Sequence, residues 1–339
     1  MRVALLTHEK FPHRAKTALG VLRYADYEVA AVIDRTLAGD RVNDHVEDVQ
    51  DAPIVERMAD VEAVDTLIIG IAPIGGGFDP TWRDDVTTAI ERGCDIMAGL
   101  HYFLSEDEEF ATLAVEHGVE LQDVRRPPDD LTVSEGIARD LDAHIVGTVG
   151  TDCSTGKMTV TMELVDVLKE QGVDAATIPT GQTGIMIEGW GIAVDRTISD
   201  FTAGATERML KEAAADHDVL VVEGQGSITH PAYSGVTCAL LHGSMPDQLI
   251  LTHEAGRETV HGYESFPLLS LEDAVAMYER VAEPVAPTSV VGVALNTRSI
   301  DDDAEADAAC ADVRDRLGMP CVDPVRHDAT PLAEAVLPP

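Results

Sequence analysis

Residues 144–159 read HIVGTVGTDCSTGKMT, and the architecture of the second half of the chain follows from this segment. Its apolar and β-branched start predicts a buried strand over His144–Val149, and the amphipathic pattern after it predicts a helix over residues 157–171. Glycines between the two let the backbone approach an anion, and the amides at a helix start attract phosphate. The segment predicts a phosphate-binding loop, whose members are Gly150, Thr151, Asp152, Cys153, Ser154, Thr155, Gly156, Lys157, Met158 and Thr159.

This loop departs from the usual G-x-x-x-x-G-K-[ST] pattern in two ways. Five residues separate Gly150 from Gly156, a spacing that resembles the dethiobiotin synthetase and MinD branch of P-loop proteins. Met158 stands where a serine or threonine would coordinate Mg²⁺, and Thr159 lies about 100° further round the helix. The loop therefore favours a phosphate-bearing ligand over magnesium-nucleotide chemistry.

The rest of the chain alternates short Val/Ile/Leu runs with helical periods, which predicts an α/β fold with mainly parallel sheets. Two prolines at 127 and 128 break regular structure, so we predict a Rossmann-like domain over residues 1–142 and a P-loop NTPase-like domain over residues 143–339. The strands predicted in the first domain are Val3–Leu6, Val29–Ile33, Thr66–Ile69, Cys94–Met97 and Val119–Leu121. Those predicted after the phosphate loop are Ala175–Ile178, Val219–Val222, Gln248–Leu251 and Val290–Leu295.

Composition excludes several classes of function. The chain has 61 acidic and 24 basic residues and a formal net charge of −37, which disfavours nucleic acid and anionic membrane surfaces as partners. The acidic residues are spread along the whole chain, and this distribution favours adaptation to high salt. Five cysteines without a C-x-x-C pair, and histidines without ligand spacing, predict a cytoplasmic protein with no structural metal.

Two further polar segments follow predicted strands of the second domain. Glu223 opens the turn Glu223-Gly224-Gln225-Gly226-Ser227, and Thr180-Gly181-Gln182-Thr183-Gly184 follows the strand at 175–178. Because the carboxyl ends of parallel strands share one edge of a sheet, we expect both turns to meet the phosphate loop there. His230 comes shortly afterwards and is a candidate general base, since histidine titrates near neutrality.

The first domain lacks a G-x-G-x-x-G turn after its first strand, which weakens any prediction of dinucleotide binding. Asp34 follows the second strand, where a surface carboxylate is favoured over a ribose contact. Arg125 and Arg126 are candidates for binding a carboxylate or phosphate, because a guanidinium can donate two parallel hydrogen bonds to either group. A surface ion pair with one of the many acids explains them equally well.

The chain resembles the DgcN-type D-glutamate N-acetyltransferase family over nearly its whole length. The segments that carry the resemblance are 70–78, Gly99-Leu100-His101, Asp123-Val124-Arg125, the loop 150–159, Gly181-Gln182-Thr183-Gly184, and Glu223–Ser227 with His230-Pro231. The resemblance implies a Rossmann-like domain, a P-loop domain and acetyl transfer from acetyl-CoA to the amino group of a small acidic amino acid. Coenzyme A carries phosphates but needs no catalytic Mg²⁺, which suits a loop with Met158 after Lys157.

For that reaction we assign His230 or Glu223 as base, the amides of the glycine turns as oxyanion donors, and Arg125 or Arg126 as a carboxylate clamp. The further substrate-binding candidates are Gln182, Thr183, Gln225 and Ser227. We expect a homo-oligomer. Cys153 as an acetyl-carrying nucleophile is an alternative within the same reaction.

Two hypotheses from other functional classes stay open. One is an ATP- and Mg²⁺-dependent kinase or ligase resembling dethiobiotin synthetase, which the loop spacing and Glu223 at a strand end favour. The other is a nucleotide-binding regulator without turnover.

Overall fold

The computed structural model describes residues 1–71, 73 and 75–337. Its strands in chain order are β1 (Arg2–Leu6), β2 (Glu28–Ile33), β3 (Ile54–Val55), β4 (Thr66–Ile69), β5 (Asp95–Ala98), β6 (Leu121–Asp123), β7 (His144–Gly150), β8 (Ala175–Ile178), β9 (Val219–Val222), β10 (Gln248–Glu254), β11 (Thr259–Val260), β12 (Tyr263–Pro267), β13 (Ser289–Asn296) and β14 (Cys321–Val322). Its α-helices are α1 (Lys16–Tyr24), α2 (Arg83–Glu91), α3 (Glu108–His117), α4 (Lys157–Glu170), α5 (Gln182–Glu188), α6 (Thr202–Ala213), α7 (Ser234–Ser244), α8 (Leu271–Ala282), α9 (Asp303–Leu317) and α10 (Thr330–Val336).

The chain divides into two compact units that are not the two predicted sequence halves. Unit 1 comprises Met1–Pro127 and Gln182–Arg196, and unit 2 comprises Pro128–Gly181 and Thr197–Pro339. The predicted boundary after residue 142 lies too late, because residues 134–137 are bound to α6. The buried Glu207 carboxylate accepts hydrogen bonds from Ser134 Oγ at 2.9 Å and from the Ile137 amide at 2.8 Å.

Unit 1 is built on a six-stranded sheet in the order β3-β2-β1-β4-β5-β6 with every pairing parallel. This is the doubly wound Rossmann order, so the α/β prediction is confirmed for this unit. Its central strands are apolar on both faces, as expected for a sheet covered by helices, and Leu6, Ile33, Leu67 and Ile96 lie in its core.

Unit 2 is built on a second parallel sheet, in the order β14-β13-β10-β7-β9-β8. After β7 the chain leaves toward β8, and after β9 it crosses to β10 on the other side of β7. The carboxyl ends of β7 and β9 therefore form a topological switch point, which is where open α/β sheets bind ligands. Apolar clusters cover both faces, one around Leu164 and Ile250 and the other around Leu251 and Tyr278.

The predicted strands are all present, although Val119–Leu121 is shifted to Leu121–Asp123. Asp34 is not at the surface: it is fully buried, and its carboxylate accepts hydrogen bonds from the Thr36 amide at 2.9 Å and the Phe11 amide at 3.3 Å. It holds the loops after β1 and β2. Among the described residues, no helix combines the length and the apolar character needed to cross a membrane.

Candidate functional site

The phosphate loop joins β7 to α4 as predicted, with its backbone turned by two left-handed residues. Ser154 has φ 57° and Gly156, which caps α4, has φ 110°. Glycine adopts the latter value without strain, and such turns aim successive amides at one point. Lys157 is 93% buried, and its Nζ donates to the Asp152 carbonyl at 2.8 Å. The loop therefore offers amides, a helix N-terminus and one ammonium to an anion.

Side-chain hydroxyl groups on β10 and α8 form hydrogen bonds with this loop. Thr155 Oγ1 lies 2.6 Å from Thr252 Oγ1 at the end of β10. Tyr278 on α8 donates its hydroxyl to the Gly150 carbonyl at 2.7 Å and accepts from the Ile228 amide at 3.1 Å. Burial raises the pKa of Tyr278 to about 12, so the hydroxyl stays protonated and ties the loop to the turn after β9.

The acid within the loop is neutralised by an arginine that sequence reasoning missed. Arg257 Nη1 lies 3.0 Å from Asp152 Oδ2 and 2.7 Å from the Cys153 carbonyl. Asp152 also accepts from the amides of Cys153 and His261, both at 2.7 Å. The two charged residues lie 105 positions apart, and no spacing pattern signals the pair. Asp152 is fully buried, so Arg257 removes the repulsion that its carboxylate would exert on a phosphate.

Met158 is buried, and it leaves no hydroxyl at the position where Mg²⁺ would be coordinated. The described residues do bring one set of metal-ligand atoms together, since Asp152, Cys153 and His230 approach within 4.8 Å of one another. The carboxylate of that set is already held by a guanidinium and two amides.

Glu223 links the turns after β8 and β9, which sequence reasoning expected to converge. Its Oε2 accepts from the Thr180 amide at 3.1 Å and from the Gly181 amide at 3.0 Å. Gln225 Nε2 adds a 3.2 Å bond to Thr180 Oγ1. Ser227 is buried and donates to the Thr151 carbonyl at 3.0 Å, so its hydroxyl joins the β9 turn to the phosphate loop. These contacts make Glu223 and Ser227 residues that position the loops.

His230 is 99% buried beside the loop, between two tyrosine rings. It stacks on Tyr233 at 4.6 Å and meets Tyr263 edge-on at 5.1 Å. Burial lowers the pKa of His230, although the Asp152 carboxylate opposes the shift. Nδ1 accepts from the Ala232 amide at 3.1 Å, so the neutral ring carries its proton on Nε2. In this state Nε2 donates a hydrogen bond and does not accept a proton.

A second histidine, His253 at the end of β10, was set aside in the sequence because it lacks metal-ligand spacing. Its Nδ1 lies 2.8 Å from Thr151 Oγ1, and burial, followed by the Arg257 guanidinium, lowers its pKa to about 4. A cavity of about 400 Å³ adjoins this neutral ring, and its lining includes His253, Arg257, Leu268, Leu271, Leu295 and Arg316. The cavity is of the size that small-molecule sites have.

The remaining candidate residues lie in unit 1. Arg125 is buried at the end of β6, donates Nε to the Gly99 carbonyl at 2.7 Å and pairs with Asp195 through Nη1. Arg126 pairs with Glu106 at 2.8 Å, which is the surface ion pair that the sequence left open. Of the resembling segment 70–78, Ala72 and Ile74 lie outside the described residues.

Gln182 and Thr183 begin α5, where a glycine turn was expected. An added Cβ at Gly99 would lie 2.8 Å from Gln182 Cγ, so glycine is what lets Gln182 approach this strand end. Thr183 Oγ1 lies 3.1 Å from Thr17 Oγ1 on α1. The structure therefore groups Arg125 and Gln182 in unit 1, and the phosphate loop, Glu223, Gln225, Ser227 and His230 in unit 2.

Comparisons with known proteins cover both the Rossmann-like and the P-loop part of the chain. Residues 35–127 match the model described as "Domain of unknown function (DUF1611_N) Rossmann-like domain", and residues 132–333 match "Domain of unknown function (DUF1611_C) P-loop domain". A crystal structure of a DUF1611 family protein from Anabaena variabilis is 38% identical, with a TM-score of 0.93, and the match covers 99% of this chain and 98% of that one.

Two curated relatives carry an activity in their names. A protein from Pseudoalteromonas sp, 38% identical over 77% of this chain and 78% of its own, is named D-glutamate N-acetyltransferase. One from Tritonibacter scottomollicae, 38% identical over 80% of each chain, has the same name. With both domain models matched in order, the chain belongs to the DUF1611 family of Rossmann-like plus P-loop proteins.

Proposed function

We propose that this protein is an N-acetyltransferase that moves the acetyl group of acetyl-CoA to the amino group of D-glutamate, in the catabolism of that amino acid. The observation that carries the proposal is a phosphate loop that keeps its amides and Lys157 but has a buried methionine, Met158, in place of the magnesium-binding hydroxyl. The names of the two relatives support the choice of reaction and of amino acid. The ATP-dependent alternative needs a hydroxyl directly after Lys157, where this loop has Met158.

The donor sets of the two units fit the two ligands by charge. In unit 2, the amides of residues 150–157 and the Lys157 ammonium would hold the phosphates of the coenzyme, while Arg257 offsets the charge of Asp152. Bound acetyl-CoA supplies the acetyl group already activated as a thioester. In unit 1, Arg125 presents a guanidinium for a substrate carboxylate, held in place by Gly99 and Asp195.

Acetyl transfer is tested directly by mixing the protein with acetyl-CoA and D-glutamate in molar salt. We expect N-acetyl-D-glutamate by mass spectrometry and one free thiol per product, with the same rate in EDTA. Parallel reactions contain L-glutamate, or ATP with Mg²⁺ in place of acetyl-CoA. ATP hydrolysis without any acetylated product, or a rate abolished by EDTA, would overturn the proposal in favour of the kinase or ligase reading.

His230 acts, in this proposal, as a hydrogen-bond donor to negative charge that develops during the reaction, and not as a base. Replacing His230 with alanine should lower kcat by between about 10- and 100-fold, the value of one buried donor bond. His230→Gln, which retains an amide donor, should keep most of that rate. Equal losses in the two variants, with a pH profile that loses an ionisation near neutrality, would show that the ring is the base after all.

A further inference from the structure

Two arginines of unit 1 lie against one aromatic ring, and a third, Arg125, lies near them. The Arg126 guanidinium carbon lies 4.4 Å from the centre of the Phe103 ring, and that of Arg196 lies 5.1 Å from it. Arg125 lies in the same cluster, because its partner Asp195 directly precedes Arg196 in the chain. The segment 182–196 thus contributes an acid that orients one arginine and a second arginine beside it.

This concentration of positive charge is unexpected in a chain with 24 basic and 61 acidic residues. Asp195 pairs with Arg125 and Glu106 pairs with Arg126. Within the described part of the chain, the exposed Arg196 guanidinium makes no hydrogen bond and no ion pair, and it lies against the face of the Phe103 ring. Two of the three cations are therefore compensated and one is not.

Like charges at short range repel, so such a cluster is stable at low cost only where an anion completes it. Burial, and after it the charge of the neighbouring Arg196, together lower the pKa of Arg125 to about 10. The same two arginines act with burial to lower the pKa of His101. Both effects arise because the charges of Arg125 and Arg196 lie within range of each other and of His101.

We propose that Arg125 and Arg196 form a two-point site for an amino acid with two carboxylates, in which Arg196 binds the side-chain carboxylate and sets the preference for an acidic substrate. The inference rests on the proposed function, whose substrate it specifies. Arg125 is fixed on both sides by Gly99 and Asp195, so it suits the carboxylate that every amino acid has. Arg196 is exposed and lies against the Phe103 ring, so it is available to a group that only some substrates carry.

The test compares Arg196→Ala with wild type on D-glutamate and on D-glutamine, which lacks the second charge. We expect kcat/KM for D-glutamate to fall at least about 10-fold, mainly through KM, while that for D-glutamine changes less than about threefold. Arg57→Ala removes an exposed arginine of the same unit, which pairs with Asp60 at 3.2 Å, and should change neither value. Equal losses on both amino acids, or no loss on either, would overturn the inference.

A binding measurement separates this inference from the proposed function. Glutarate has both carboxylates and no amine, so calorimetry with it reports the site without any acetyl transfer. Binding that Arg196→Ala weakens at least about 10-fold would support the two-point site even if no acetylated product is ever found. Undiminished glutarate binding by the variant would contradict the site, whatever the reaction proves to be.

Discussion

Replacing Gly224 with alanine should destabilise unit 2 by more than about 3 kcal/mol, because the turn after β9 packs directly on the backbone of β7. An added Cβ would lie 1.8 Å from the Thr148 carbonyl oxygen and 3.1 Å from Lys157 Cδ. The amide of Gly224 also donates to Thr148 Oγ1 at 3.0 Å, which fixes the turn in place. Neither strand can move away without breaking the pairing of β7 with β9.

Urea unfolding in molar salt, followed by circular dichroism, measures this loss. Both tryptophans, Trp82 and Trp190, lie in unit 1, so their fluorescence reports on the other unit in the same sample. Gly235→Ala is the matched control: it lies in α7 with no atom within 4 Å of an added Cβ, and we expect it to be neutral or slightly stabilising. A Gly224→Ala protein as stable as wild type would contradict the close packing of this turn.

Replacing Lys157 with alanine should raise the Kd for acetyl-CoA by between about 10- and 100-fold, since a charge-assisted contact to phosphate is lost. In the structure its ammonium points into the phosphate loop, where it donates to the Asp152 carbonyl and lies 2.9 Å from the position of an added Cβ at Gly150. No other lysine belongs to the loop, and Arg257 is engaged with Asp152 and Glu254.

Calorimetry with acetyl-CoA measures this effect, and Lys169→Ala is its control. Lys169 is exposed near the end of the same helix α4, so its removal changes the net charge equally. The difference between the two variants isolates the local contribution from the repulsion exerted by a chain of net charge −37. Equal affinities in both variants would show that the phosphates do not bind at this loop.

The sequence was sufficient to predict those elements whose sequence signals lie within one short segment. The strand, glycines and lysine of residues 144–159 stand next to one another, and the structure places them as predicted. Residues 180–184 were expected to form a turn, and its last three residues, Gln182, Thr183 and Gly184, instead begin a helix. This helix is α5, which forms because its buried residues Ile185, Met186 and Ile187 have a partner surface in unit 1 that no nearby residue reveals.

The electrostatics of the candidate site could not be inferred in the same way. The partner of Asp152 comes from a loop 105 positions later, and the partner of Arg125 lies 70 positions later. A sequence with 61 acids offers many possible partners for each arginine, and only the fold selects one. The tautomer of His230 likewise depends on the Ala232 amide, which the turn after β9 directs at Nδ1.

The return of residues 182–196 to unit 1 makes neither unit a continuous piece of chain. A fragment that ends at Pro127 would lack α5, so α1 would lose the helix whose Thr183 meets Thr17, and Arg125 would lose Asp195. We therefore expect such a fragment to expose apolar surface and aggregate. Expression of the halves as separate proteins would succeed only if residues 182–196 were supplied to the first one.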